Sequence, residues 1–272
     1  MRPARLVACE GAPEAAAFGS PISLECVVCG QPAFRPLAWE GAWQWMCCSA
    51  CGFVRIADAF DVGSAAAVQT DDMARSYVAG YERKFASKMR RSRRRLARLV
   101  RLMPGRAFLD VGSNYGFMVE AARRAGLDGI GVEVNPVLAA AARNRFPDCR
   151  FVASSLEEAR LDRRFDGVYC SEVIEHVPDP RLFLRHIAGL ANPGGWLFLT
   201  TPDIAEYRRR RYENMGAPDH KLYFSRATLS RLLAEEGFPE QKFLFSFRKG
   251  LKVLARRTHE RPAPFAPAAG PW

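Results

Sequence analysis

The sequence predicts a doubly wound α/β domain preceded by a small metal-bound module and a helical connector. Three observations carry that prediction. The run Phe108-Leu109-Asp110-Val111-Gly112-Ser113-Asn114-Tyr115-Gly116 leads an apolar stretch through small residues into a helix-like segment, and a second apolar stretch ends at Gly131-Val132-Glu133. That is the skeleton of a nucleotide-binding βαβ unit: glycines let the backbone approach a ligand, and the second carboxylate can accept both ribose hydroxyls. The eight cysteines include two Cys-x-x-Cys pairs, Cys26/Cys29 and Cys48/Cys51, with positions 30 to 47 between them. The stretch Arg83 to Arg106 holds eleven Lys or Arg and no acid, beside an apolar stripe at helical spacing.

Residues 1 to 20 read as a disordered N-terminus, with Glu10 and Glu14 where the apolar core of a secretory signal would stand. Residues 21 to 60 read as a zinc ribbon. Two Cys-x-x-Cys pairs at this separation suit a four-thiolate Zn2+ site, structural because four protein ligands leave no position for water. Gly30 and Gly52 suit the knuckle turns after each pair. So short a stretch has too little core to fold without the metal. Disulfides or a redox pair are the competing reading. Cys47 competes with Cys48 at a poorer spacing, and Cys149 and Cys170 read as small buried residues. Thiolate ligands and unpaired cysteines point to a reducing cytoplasm.

Residues 61 to 105 read as a basic helical connector. Tyr77, Tyr81, Phe85, Met89, Leu96, Val100 and Met103 form its apolar stripe, with Ser92 in the gap, and its polar face is almost all arginine. That face is either the solvated side of a packed helix or an anion-binding surface for a nucleotide-sugar phosphate, an anionic lipid surface or RNA. A second basic run, Arg208 to Arg211, follows the strand ending Thr200-Thr201-Pro202, on the ligand side of such a sheet, where Arg suits phosphate contacts. Residues 106 to 247 read as the α/β domain, with Lys242 to Phe247 as its last good strand. Leu251 to Leu254 is short and basic for another, and residues 248 to 272 read as a basic, Pro/Ala-rich tail. With no run of 18 apolar residues, no transmembrane span is predicted; the net charge of +11 leaves peripheral membrane contact open.

The glycine spacing narrows the ligand. No G-x-G-x-x-G and no phosphate loop can be written on Gly112, Asn114 and Gly116, and Asn tolerates positive φ, so the turn suits a nucleoside without phosphates. Here the residues resemble the class I S-adenosylmethionine-dependent methyltransferases, with Asn114 at the middle glycine of their D-x-G-x-G-x-G motif. Further blocks are similar and in the same order. Phe165 to Cys170 leads into Ser171-Glu172-Val173-Ile174-Glu175-His176-Val177-Pro178-Asp179-Pro180. Asn192-Pro193-Gly194-Gly195 then leads into Trp196 to Pro202, and Asp219-His220-Lys221-Leu222-Tyr223-Phe224-Ser225 into a helix ending at Gly237-Phe238.

The resemblance implies a Rossmann-like seven-stranded sheet and S-adenosylmethionine as cofactor. It places Gly112, Ser113, Asn114 and Gly116 at the donor's methionine end, Glu133 at the ribose and Asp110 among the other cofactor-binding residues. Ser155 and Leu156 would lie at the adenine, and Cys170 and Ser171 beside the donor. The added ribbon resembles a branch acting on sugars, which implies His220 as general base with Asp219 orienting it, and a sugar, nucleotide-sugar or glycan acceptor, anionic, methylated on oxygen or carbon for polysaccharide biosynthesis. Glu175 and His176 are further catalytic candidates, His176 more readily structural, and Glu175 could hold a divalent ion as in some quinone-methylating relatives. Two other readings stay open: an RNA methyltransferase clamping RNA with the ribbon and basic helix, although no N/D-PP-Y motif occurs, and a non-catalytic ribbon scaffold.

Overall fold

In a computed structural model of the chain, residues 25–57, 71–245 and 250–258 are described. The expected disordered N-terminus, the connector between 58 and 70 and the Pro-rich end of the tail lie outside them.

Three antiparallel strands, β1 (Phe34–Glu40), β2 (Trp43–Cys48) and β3 (Val54–Ile56), form the N-terminal ribbon. Gly30 and Gly52 take φ of +74° and +79° and donate backbone hydrogen bonds to Cys26 and Cys48, closing the two knuckles that the cysteine spacing predicts. The connector is two helices, α1 (Asp71–Arg83) and α2 (Phe85–Val100). The apolar stripe turns inward along α2, where Met89, Ser92, Leu96 and Leu99 are buried while Arg90, Arg93, Arg94 and Arg98 are exposed; on α1 Tyr81 is half-buried and Tyr77 exposed.

The main sheet contains β4 (Ala107–Val111), β5 (Asp128–Glu133), β6 (Arg150–Ala153), β7 (Phe165–Ser171), β8 (Ala191–Thr201), β10 (Glu240–Phe243) and β11 (Leu251–Arg256). Its order is β10-β11-β8-β7-β4-β5-β6, parallel from β6 to β8 and antiparallel at β11 and β10. β4 is near-continuously buried, as a central parallel strand covered on both faces must be. Helices α3 (Phe117–Arg124), α4 (Pro136–Arg145), α5 (Pro180–Leu190), α6 (Ile204–Arg209) and α7 (Arg226–Glu235) complete the layers. Their starts follow capping chemistry: Asn135 and Asp179 each accept two backbone N–H groups ahead of a proline, and Ser225 forms a capping box with Thr228.

Two expected boundaries are corrected. Leu251–Arg256 is a strand seated between β10 and β8, so the domain runs past 247 and the tail does not begin at 248. Leu251, Val253 and Ala255 alternate inward and are buried, and that period outweighs the two basic residues beside them. The ribbon is also not self-contained. Its fourth strand is β9 (Leu222–Tyr223), which pairs antiparallel with β3 from far along the chain. Phe53 meets Phe224 at a ring separation of 5.3 Å, and both are fully buried. Each such side chain contributes about 1.5–3 kcal/mol by burial, and the ring pair about 0.5–1.5 kcal/mol more. Arg181 of α5 ties the knuckle down, donating to the carbonyls of Val27 and Val28 while pairing with Glu235 and Glu236.

Candidate active site

The strand order reverses between β4 and β7, and beyond their C-terminal ends lies a cavity of about 520 Å3. Its first wall is the loop after β4. Gly112, Asn114 and Gly116 take φ of +70°, +50° and +83°, so Asn114 serves as a left-handed turn residue. A Cβ on Gly112 would stand 2.4 Å from Val173 Cγ2, and one on Gly116 2.6 Å from Phe151 Cζ. Glu133 closes this wall: one carboxylate oxygen accepts from Asn114 N at 2.7 Å and the other from Asn135 N at 2.9 Å. Burial raises its pKa, and raises that of fully buried Asp110 further, with Glu133's charge adding to the effect. Tyr81 of α1 stands over this loop against the Asn114 side chain.

Of the residues expected at the donor, Asp110, Gly112, Ser113, Asn114, Glu133 and Ser171 border the cavity. Four expectations are corrected. Gly116 is buried and does not border the cavity. Cys170 is fully buried in the core on the other face of β7, because strand neighbours alternate; Tyr169 and Ser171 face the cavity instead. Leu156 packs into the core, and Ser155 closes the turn to Glu158, so neither borders the cavity.

The second wall follows β7. Glu175 is fully buried; one oxygen accepts from Thr201 Oγ1 at 3.0 Å and Oε1 has no hydrogen-bond partner. His176 borders the cavity, and its Nδ1 lies 2.7 Å from the Asp219 carbonyl and 3.4 Å from its carboxylate. A carbonyl only accepts, so Nδ1 carries a proton and, in the neutral ring, Nε2 holds the lone pair, 3.8 Å from Glu175 Oε1. His220 repeats the arrangement. The Tyr223 hydroxyl donates to the Met215 carbonyl, so it accepts from His220 Nδ1 at 2.8 Å and leaves Nε2 free of the proton. Glu175, His176 and His220 thus each offer an atom within 4.8 Å of one another.

The expected pairing changes accordingly: the Asp219 carboxylate stands against His176, because His220 is turned toward Tyr223, and His220 does not border the cavity. Burial alone would lower the His176 pKa, but the Asp219 hydrogen bond and the Glu175 charge outweigh it and hold the pKa above its usual value. Burial, then the neighbouring His176, holds His220 below its usual value. Burial raises Glu175.

Several residues go unnamed by sequence reasoning. Lys88, Arg91 and Arg95 border the cavity from α2, and Lys252 from β11. Their signal is the stepping of the three α2 cations along one edge of the apolar stripe. Glu40 of the ribbon accepts from the backbone N–H of Gly216 and Ala217 and from Trp45 Nε1, fixing the loop that carries Asp219. Arg208 to Arg211 are exposed around the end of α6 and do not border the cavity; Arg210 pairs with Glu206.

Away from the cavity, the sulfurs of Cys26, Cys29, Cys48 and Cys51 all lie within 4.8 Å of one another, with Cys26–Cys51 and Cys29–Cys48 at 3.6 Å. All four are unbridged. Cys47 packs into the opposite face of the ribbon with Trp45 and Tyr223.

Residues 81–239 match the family described as Methyltransferase domain. A ubiquinone biosynthesis O-methyltransferase of Xanthomonas campestris is 36% identical over 105 residues, 36% of this chain and 44% of that protein, so the chain spans less than half the length of this curated relative. Two solved structures share the fold. An S-adenosylmethionine-dependent methyltransferase from Clostridium acetobutylicum has a TM-score of 0.55 at 10% identity, covering 68% of this chain and 99% of that one. Magnesium protoporphyrin IX methyltransferase from Synechocystis, with bound S-adenosylhomocysteine, has a TM-score of 0.50 at 18% identity, covering 62% and 83%. These findings overturn the expected sugar, nucleotide-sugar or glycan acceptor: the curated relative is named for O-methylation in ubiquinone biosynthesis. The family also displaces the non-catalytic scaffold reading. No helix among the described residues is long and apolar enough to cross a membrane.

Proposed function

The chain belongs to the S-adenosylmethionine-dependent methyltransferase family, and we propose that it methylates a hydroxyl oxygen on a small, ring-bearing acceptor. The observation that carries this is a single cavity with the Gly112–Glu133 wall on one side and His176 on the other, lined between them by Tyr81, Tyr115, Phe117 and Tyr169. The relative named for O-methylation supports oxygen as the target, and the aromatic lining supports a ring.

S-adenosylmethionine fits the first wall. Glu133 keeps lone pairs for two ribose hydroxyls after accepting from Asn114 and Asn135, and the positive-φ turn leaves backbone exposed to the methionine end. The sulfonium supplies an activated methyl, so this chain's residues mainly align and deprotonate. With the donor bound, the acceptor oxygen would form the new C–O bond as the S–CH3 bond broke, sulfur keeping the electron pair. His176 Nε2 takes the hydroxyl proton, with Asp219 behind Nδ1 stabilising the resulting imidazolium.

A second reading rests on the partnerless Oε1 of Glu175. It and the two Nε2 atoms of His176 and His220 fit a divalent cation, with Asp219 and Tyr223 as the outer hydrogen-bond partners that set both rings. Such an ion would polarise the acceptor hydroxyl. The ribbon thiols fit Zn2+. A tetrahedron with Zn–S of about 2.3 Å has sulfurs about 3.8 Å apart, and two pairs here stand at 3.6 Å. A four-thiolate site also supports a reducing, cytoplasmic setting.

The deciding test is titration of S-adenosylhomocysteine into zinc-loaded protein, followed by turnover of catechol with and without a chelator that spares the ribbon. Micromolar binding and O-methyl product support the proposal. Binding without turnover of any ring hydroxyl would sink it, and chelator-sensitive turnover would favour the cation reading over His176 as base.

A further inference from the structure

Four cations border the cavity away from the Gly112–Glu133 wall. Lys88, Arg91 and Arg95 step along the cavity edge of α2, and Lys252 joins them from β11. Arg95 is half-buried, and its Nη1 donates to the Tyr169 hydroxyl at 2.6 Å and to Ser171 Oγ at 3.0 Å. Those two hydroxyls fix the guanidinium while leaving Nε and Nη2 of its five-donor fork without a partner among the described residues. Lys88 stands 4.5 Å from the centre of the Tyr81 ring, and neither it nor Arg95 meets a carboxylate among the described residues. Burial, then the charges of Arg91, Lys84 and Arg95, hold the Lys88 pKa below its usual value.

Among the acids around the same cavity, Asp110 is fully buried with its pKa raised well above the usual carboxylate range, and the other three are otherwise engaged. Glu133 accepts backbone N–H groups, Glu172 accepts from Thr200 Oγ1 at 2.6 Å, and Asp219 faces His176. The stripe also ends in the acceptor half: Tyr169 and Ser171 close β7, across the switch point from Glu133.

We propose that Lys88 and Arg95 form an anion subsite in the acceptor half, selecting acceptors that carry a carboxylate or phosphate group beside the hydroxyl to be methylated. The inference deepens the O-methylation reading and rests on it for the reaction, though not for the anion. A fork already held on one nitrogen loses little freedom on binding an oxyanion, which suits Arg95 to a two-point contact.

The test is calorimetry on the full, zinc-loaded chain saturated with S-adenosylhomocysteine, titrated separately with 3,4-dihydroxybenzoate, catechol and inorganic phosphate. Wild type should bind the benzoate at least about tenfold more tightly than catechol, the size of one charge-assisted hydrogen bond. Arg95→Met and Lys88→Met should remove most of that preference, and Arg95→Lys should restore part of it. Affinity for S-adenosylhomocysteine should stay within about threefold, less than the loss of one such bond. Phosphate that competes with the benzoate marks a general oxyanion subsite, and phosphate that does not marks a carboxylate subsite; both uphold the proposal. Equal affinity for benzoate and catechol in wild type would overturn it. So would an Arg95→Met variant that loses S-adenosylhomocysteine instead, since the cations would then serve the donor's own carboxylate. If neither ring compound binds but phosphate does, and Arg95→Met abolishes it, the subsite stands and the aromatic-acceptor reading falls.

Discussion

Asp110, Gly112, Ser113, Asn114 and Glu133 all sit within one βαβ unit, between the start of β4 and the end of β5. The half proposed for the acceptor instead gathers Arg95 from α2, His176 from the turn after β7, Asp219 from the loop before β9 and Lys252 from β11, with Glu40 of the ribbon holding the Asp219 loop. A local unit is set by short-range turns and one sheet register. The gathered half depends on every element that delivers a residue to it, the ribbon above all, because β3 pairs with β9 directly after His220 and Lys221.

The largest expected break of that comparison is loss of the Zn2+ proposed for the four ribbon thiols. Structural zinc supplies about 10–16 kcal/mol to such modules, so Cys48→Ser should unfold the ribbon, release β9 and abolish acceptor turnover. Affinity for S-adenosylhomocysteine should change far less; a parallel loss of both, by calorimetry and activity on the same sample, would mean that the halves are not separable. Next in size, His176→Ala should lower kcat by about 10²–10⁴-fold, the usual contribution of a general base, again sparing the donor. Glu133→Ala should do the converse, weakening S-adenosylhomocysteine about 10- to 100-fold and also lowering Tm, since Asn114 and Asn135 lose their acceptor.

The pH profile sharpens the acceptor half alone. His176 must be neutral to accept a proton and its pKa is held above the ordinary value, so kcat should rise with pH through a midpoint above about 6.5. Stability runs the other way. A His with a raised folded pKa contributes fully below its unfolded value of about 6.5 and loses that contribution as pH climbs through the folded value. A kcat that falls across that window would exclude His176 as the base. The smallest effect is expected at Glu40→Gln, which weakens charge-assisted bonds to Gly216 and Ala217 by about 1–2 kcal/mol. It should raise the acceptor KM without moving donor affinity; no change in either would detach the ribbon from catalysis.

Much of the α/β framework was legible because its signals are local. The glycine–asparagine turn, the proline and serine caps and the buried strand runs each report on a few neighbouring residues. So was the convergence of Cys26, Cys29, Cys48 and Cys51, where each knuckle is its own turn. Cys170 and Ser171 are adjacent in sequence yet face opposite sides, and only the strand's register says which meets the cavity. Leu251 to Arg256 read as a charged tail because its partners, β8 and β10, lie outside any local window.

The sequence by itself determined the donor wall, the helix ends, the two cysteine knuckles and the inward stripe of the connector, all consequences of backbone conformation and short-range periodicity. Only the tertiary structure decided that Asp219 serves His176 rather than His220, that α2 turns three cations toward the cavity, and that the ribbon borrows its last strand from the loop beside the acceptor. Those facts depend on which way a ring or a helix edge faces across the cavity, and that direction is set by packing partners far away along the chain.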